Sequence, residues 1–264
     1  MKILLSICLG AGAWLVQPAG AQSLPGARSE AGEVELAGKL ADGPAETTFV
    51  FAPNESNASV ICGDWTGSGN RAVGVRTADG RFLLRKDNSE GPADIASKIP
   101  GNPTGIAVAG RWKGGKVYGI GVFTPETGMW TLSLSPTDPK ADIVVHFGEP
   151  GDVPVVGDWD GDGVDTIGVA RLNEAGDVLI WILSDSNENP FEWRKFSFGS
   201  KAHLPVAGDW DGDGIDSPGL LNRTGGIWVL SNSTEKPDES VSVLTIAPEL
   251  KNPQPFAWGT SAVK

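Results

Sequence analysis

The chain has 264 residues, with 33 acidic against 21 basic side chains and a formal net charge of −12. So acidic a balance argues against nucleic acid and anionic membrane surfaces as partners, because their phosphates repel it. Two histidines and two cysteines leave little material for a zinc site or a histidine-based catalytic centre.

Residues 1–21 open with Lys2, continue through an apolar stretch from Ile3 to Val16 and end on Ala19-Gly20-Ala21. This order of charge, apolar core and small residues predicts a cleaved signal peptide. Ser6, Gly10 and Gly12 interrupt the core, and no later segment approaches the roughly 20 apolar residues of a membrane-spanning helix. The expected protein is secreted or periplasmic, with no membrane insertion. Cleavage would remove Lys2 and no acid, taking the formal charge from −12 to −13. It would also remove Cys8 and leave Cys62 without an intramolecular partner. In its setting of Val60-Ile61-Cys62-Gly63, that cysteine reads as a small core residue rather than a reactive thiol.

Residues 22–47 are rich in Ala, Gly, Glu and Pro and show no sustained periodicity, so they are expected to form a disordered linker. Residues 48–264 carry the dominant signal, a repeat. Val60-Ile61-Cys62-Gly63-Asp64-Trp65, Val108-Ala109-Gly110-Arg111-Trp112, Val155-Val156-Gly157-Asp158-Trp159 and Val206-Ala207-Gly208-Asp209-Trp210 align, and their tryptophans lie 47, 47 and 51 residues apart. In the third unit, strands are predicted at Pro154–Trp159, Thr166–Arg171, Val178–Leu183 and Glu192–Phe198, joined by Gly, Asn, Asp and Pro turns. Four short strands per unit at this period predict an all-β propeller of four four-stranded blades, anchored at Trp65, Trp112, Trp159 and Trp210. The third strands carry Phe82, Trp130, Trp181 and Trp228. Aromatics at equivalent positions point to packing between blades ahead of sugar stacking.

Two loops follow the third and fourth anchors: Asp158-Trp-Asp160-Gly-Asp162-Gly-Val164-Asp165 and Asp209-Trp-Asp211-Gly-Asp213-Gly-Ile215-Asp216. Carboxylates at positions one, three and five, a turn glycine at six and a carbonyl at seven (Val164, Ile215) form an oxygen set suited to Ca2+. Three acids within five residues repel one another unless a cation joins them. Position twelve is Val169 or Leu220 rather than a bidentate glutamate, so these are not EF-hands. The loops resemble those of the FG-GAP and VCBS repeat family, the integrin-α-type propellers, over about residues 49–264. That family's closing acid usually lies at position nine. Here Asp165 and Asp216 stand at eight, with Thr166 and Ser217 at nine, leaving open whether the last acid ligates the ion or braces the turn. Unit one keeps Asp64 but has Thr66 and Ser68 at three and five, and unit two has Arg111, Lys113 and Gly115. Two calcium sites are therefore expected, with cationic side chains standing in for an ion in unit two.

The histidines, His146 and His203, lie in unremarkable strand or loop settings, and no nucleophile elbow or phosphate-binding glycine loop is present. The repeat-equivalent acids need no catalytic explanation, and no enzyme activity is expected. Four units can close as a monomeric ring, with a terminal strand as the staple, or as a homodimer. Phe49-Val50-Phe51 and Phe256-Ala257-Trp258-Gly259 both resemble Phe196-Ser197-Phe198 and are candidate closing strands. The resemblance implies a calcium-binding, non-catalytic binding or adhesion module for an extracellular protein or glycan. A lectin or polysaccharide-active enzyme using exposed tryptophans, and a purely structural repeat protein, are the alternatives.

Overall fold

The computed structural model describes residues 22–222, 226–246 and 253–259. The predicted signal peptide lies outside them. Twenty strands, with no helix among the described residues, form five four-stranded antiparallel sheets arranged as the blades of a propeller.

β1 (Ser23–Arg28), β2 (Glu33–Leu36) and β3 (Thr47–Val50) begin a terminal blade. Blade 1 follows with β4 (Ser59–Gly63), β5 (Ala72–Arg76), β6 (Phe82–Leu84) and β7 (Ile95–Ser97). Blade 2 is β8 (Ile106–Gly110), β9 (Gly119–Thr124), β10 (Met129–Ser133) and β11 (Ile143–His146). Blade 3 is β12 (Val153–Gly157), β13 (Thr166–Leu172), β14 (Val178–Leu183) and β15 (Arg194–Ser200), each within a few residues of its predicted bounds. Blade 4 is β16 (His203–Gly208), β17 (Ser217–Asn222), β18 (Ile227–Ser231) and β19 (Val241–Thr245). The last strand, β20 (Gln254–Gly259), returns to pair with β1, from Ser23 opposite Gly259 to Arg28 opposite Gln254.

The expected four blades are thus five, and residues 22–47 are not a linker, since β1 and β2 lie within them. The reason is division of labour between the two ends of the chain. Pro25, Gly26 and Ala27 of β1 are buried but small, so the segment has a linker's composition. Its bulk comes from Phe256, whose ring would meet a Cβ on Gly26 at 2.6 Å. β20 supplies that ring and closes the propeller within one chain, so closure needs no second copy.

Five apolar clusters fill the five gaps between neighbouring blades. The anchors Trp65, Trp112, Trp159 and Trp210 lie in these gaps at 2–3% exposure, as do Phe82, Trp130, Trp181 and Trp228 at 0–2%. The indole N–H groups of Trp130 and Trp181 donate to the carbonyls of Phe147 and Phe198 at 2.8 and 2.9 Å. These rings are packing groups, and no sugar can stack on them. Each buried side chain of this size contributes roughly 2–3 kcal/mol through removal from water. The glycine before each anchor follows from the same packing. A Cβ at Gly63, Gly110, Gly157 or Gly208 would stand 2.7–2.9 Å from the ring of the nearby anchor tryptophan, closer than two carbons can approach.

The five innermost strands, β4, β8, β12, β16 and β20, surround the axis and an axial cavity of about 150 Å³. Cys62 lines it, half-buried and free, and burial pushes its thiol up to about 12. Such a thiol is protonated at neutral pH and is a poor nucleophile.

Candidate metal loops

In blades 1–4, the connection from the innermost strand to the second is an eight-residue loop, running Asp64–Arg71, Arg111–Tyr118, Asp158–Asp165 and Asp209–Asp216. The terminal blade has no such loop, because β20 and β1 come from opposite ends of the fold. Glycines at positions four and six give three of the loops the same path. Gly67 and Gly69, Gly161 and Gly163, and Gly212 and Gly214 all have φ between 73° and 93°, a left-handed backbone that residues with a Cβ adopt reluctantly.

This path brings acids together. One carboxylate oxygen each from Asp158, Asp160 and Asp162 lies within 4.8 Å of the others, and the same holds for Asp209, Asp211 and Asp213. In both triads the first aspartate is buried and the other two are exposed. Asp158 Oδ2 accepts the Gly163 N–H at 2.9 Å, whereas its Oδ1 is buried with no hydrogen-bond partner among the described residues. In blade 4, Asp209 Oδ2 accepts from Gly214 at 2.9 Å and Oδ1 from Gly212 and Asp213 at 2.7 and 3.1 Å. Asp162 and Asp213 each accept the N–H two residues on, from Val164 at 2.7 Å and from Ile215 at 2.8 Å. Crowding leaves an electrostatic mark. Burial first, and the Asp165 charge after it, push Asp158 up to about 6. Asp209 and Asp211 are also raised, chiefly by burial, with Asp213 adding repulsion to both. A bound cation would relieve all three, and a set of hard carboxylate oxygens with one buried oxygen unengaged fits Ca2+.

Asp165 and Asp216 are placed differently from the triads. Asp216 Oδ2 accepts the Asp158 N–H at 2.9 Å, and the Asp216 N–H donates to the Asp158 carbonyl at 2.8 Å. Asp165 forms the same reciprocal pair with Arg111, at 2.8 and 3.2 Å. Both acids, each at position eight, thus clasp position one of the preceding blade. Ser23 does so for Asp209, accepting its N–H at 3.1 Å and donating to its carbonyl at 2.6 Å. Burial is the largest influence on Asp216, and with Asp165 adding repulsion against the pull of Arg71 it is pushed up to about 7. Reading down the eighth column of the repeat alignment gives Arg71, Tyr118, Asp165 and Asp216, residues that line the axial cavity. That column was available in the sequence, but its partners were not, because they lie in other blades.

The loops of blades 1 and 2 replace acids in two ways. Asp64 gathers its own loop, its carboxylate accepting N–H groups from Thr66, Ser68 and Gly69 at 3.2, 3.0 and 2.6 Å. Arg111 instead reaches into blade 3, with Nη2 2.7 Å from Asp165 Oδ1 and 3.5 Å from Asp158 Oδ2. Lys113 pairs with Glu188 at 2.8 Å on the surface. Of the histidines, His146 is exposed on β11, and His203 Nδ1 accepts the Ser200 N–H at 3.1 Å in a tight turn. Comparison with protein-family models, with curated proteins and with solved structures returns no match to this chain.

Proposed function

We propose that the chain is an exported propeller of the FG-GAP/VCBS kind, in which two calcium ions stiffen adjacent loops on one face. That face serves as a non-catalytic binding or adhesion surface for an extracellular protein or glycan. The observation that carries the calcium reading is the Asp158, Asp160 and Asp162 cluster, with a buried Asp158 oxygen that no group among the described residues engages. Asp209, Asp211 and Asp213 repeat the cluster one blade on. The triads are the core of each ligand set, and the carbonyls of Val164 and Ile215 are candidates to extend it. Asp165 and Asp216 are braces between blades in this reading. Bound calcium would supply charge neutralisation and a cross-link within each loop. At millimolar extracellular calcium and a dissociation constant near 0.1 mM, each site would stabilise the fold by roughly 1.4 kcal/mol.

A non-catalytic role is supported by the place of the clustered acids in repeat-equivalent turns and by the local engagement of His203. Burial of the repeated aromatics argues against sugar recognition through those rings. Isothermal titration with CaCl2, paired with thermal melting in calcium and in chelator, tests the reading. The expected result is two sites and a higher melting temperature in calcium. A chain that neither takes up calcium nor shifts its melting point would overturn it.

A further inference from the structure

We infer that the two calcium loops are unequal, and that Arg111 makes the blade 3 site the weaker. This rests on the calcium reading above but goes beyond it. The loops read DWDGDGVD and DWDGDGID, differing only at Val164 and Ile215, whose side chains are not the ligands considered. Any large difference in affinity must therefore come from their surroundings, and these differ in a guanidinium that stands beside Asp158 and has no counterpart beside the Asp209 carboxylate among the described residues.

Arg111 occupies position one of the blade 2 loop, where the other three loops have aspartate. Its side chain crosses the interface to blade 3. There it is nearly buried, with side-chain exposure of 12% against 4% for Asp158 and Asp165. A guanidinium 3.5 Å from Asp158 Oδ2 stands beside the carboxylate that would receive the ion, and burial leaves it little screened by salt. Arg111 also takes Asp165, through Nη2 at 2.7 Å, Nε at 3.2 Å and its own backbone N–H at 2.8 Å. This holds the position-eight acid towards blade 2 and neutralises a charge that would otherwise attract the cation. Both effects weaken calcium at blade 3. In blade 4, the Asp209 carboxylate accepts backbone N–H groups of its own loop, and among the described residues no lysine or arginine side-chain nitrogen lies within 4.0 Å of its oxygens. Asp216 accepts a backbone N–H from Asp158 and faces the Arg71 charge, so the position-eight acids meet a guanidinium in both blades and the contrast rests on Arg111 beside Asp158.

The consequence is ordered filling, blade 4 first and blade 3 only as calcium rises. A separation of roughly tenfold or more is the size expected of a fixed charge at this range when Asp165 cancels much of its field. The test is calcium titration calorimetry on the full chain and three variants. In the parent, two steps separated by at least tenfold are expected. Asp213→Asn should remove the tight step and Asp162→Asn the weak one, a comparison that leaves Arg111 in place. Arg111→Gln should tighten the weak step by tenfold or more and leave the tight one unchanged. Two equal steps, loss of the weak step in Asp213→Asn, or a folded Arg111→Gln chain with unaltered affinities would each refute the inference while calcium binding stands. Absence of any calcium step would sink it together with the reading it rests on.

Discussion

Asp216→Asn should stabilise the propeller, and increasingly so as pH rises. The carboxylate is buried and sits at about 7 in the fold, against roughly 3.9 in an unfolded chain. Between those values the native state holds a proton that the unfolded state has released. Stability from this group is therefore intact below about pH 4, declines as pH rises through the window, and is fully lost above 7. The difference amounts to on the order of 4 kcal/mol at pH 8. The attraction of Arg71 is already included, since it is one of the influences that set the folded value. Asparagine retains an oxygen for the Asp158 N–H that Asp216 Oδ2 now accepts at 2.9 Å, so the clasp between blades survives the change. Urea melts of parent and variant at pH 5 and pH 8, both in chelator to remove any bound ion, measure the effect. The gap between them should move by a few kcal/mol in favour of the variant at the higher pH. An unchanged gap, or one that moves towards the parent, would refute the reasoning.

Asp64→Ala should cost about 2–4 kcal/mol, because three backbone N–H groups lose a charged acceptor; the loss should be the same in calcium and in chelator. Calcium affinity at blade 3 should fall below pH 6 by up to about tenfold per pH unit, since an Asp158 held at about 6 must release its proton to the ion. Calorimetry across pH 5–8 reads this directly, and a flat profile would remove Asp158 from the ligand set. Truncation before Gln254 removes β20, exposing the edge of β1 and the small-residue face that Phe256 covers. Light scattering should then show self-association, and melting should lose its cooperativity.

What could be read from the sequence was whatever repeats locally. The Gly-Asp-Trp anchors, the acid loops and the third-strand aromatics lie within one blade, and each has a local cause, such as the tryptophan ring that excludes a Cβ at Gly157. The terminal blade escaped because its buried positions are split between Gly26 and Phe256, one small and one large, at opposite ends of the chain. The fate of Asp165 and Asp216 was hidden for a related reason. Their partners are 54 and 58 residues earlier, and no periodicity within a unit records a bond that crosses between units. Arg111 and Lys113, expected to stand in for an ion in blade 2, instead both reach acids of blade 3 in the fold, Asp165 and Glu188.

The pairing of β1 with β20 also has a temporal meaning. Every other strand pair joins neighbours in the chain, so blades can form in succession, each from a contiguous stretch and each supporting the next. The terminal blade is completed only when β20 arrives, and that last pairing carries the loop-closure entropy of nearly the whole chain. Until that moment the molecule is an open arc with two unsealed edges, and its final segment is the latch that seals them.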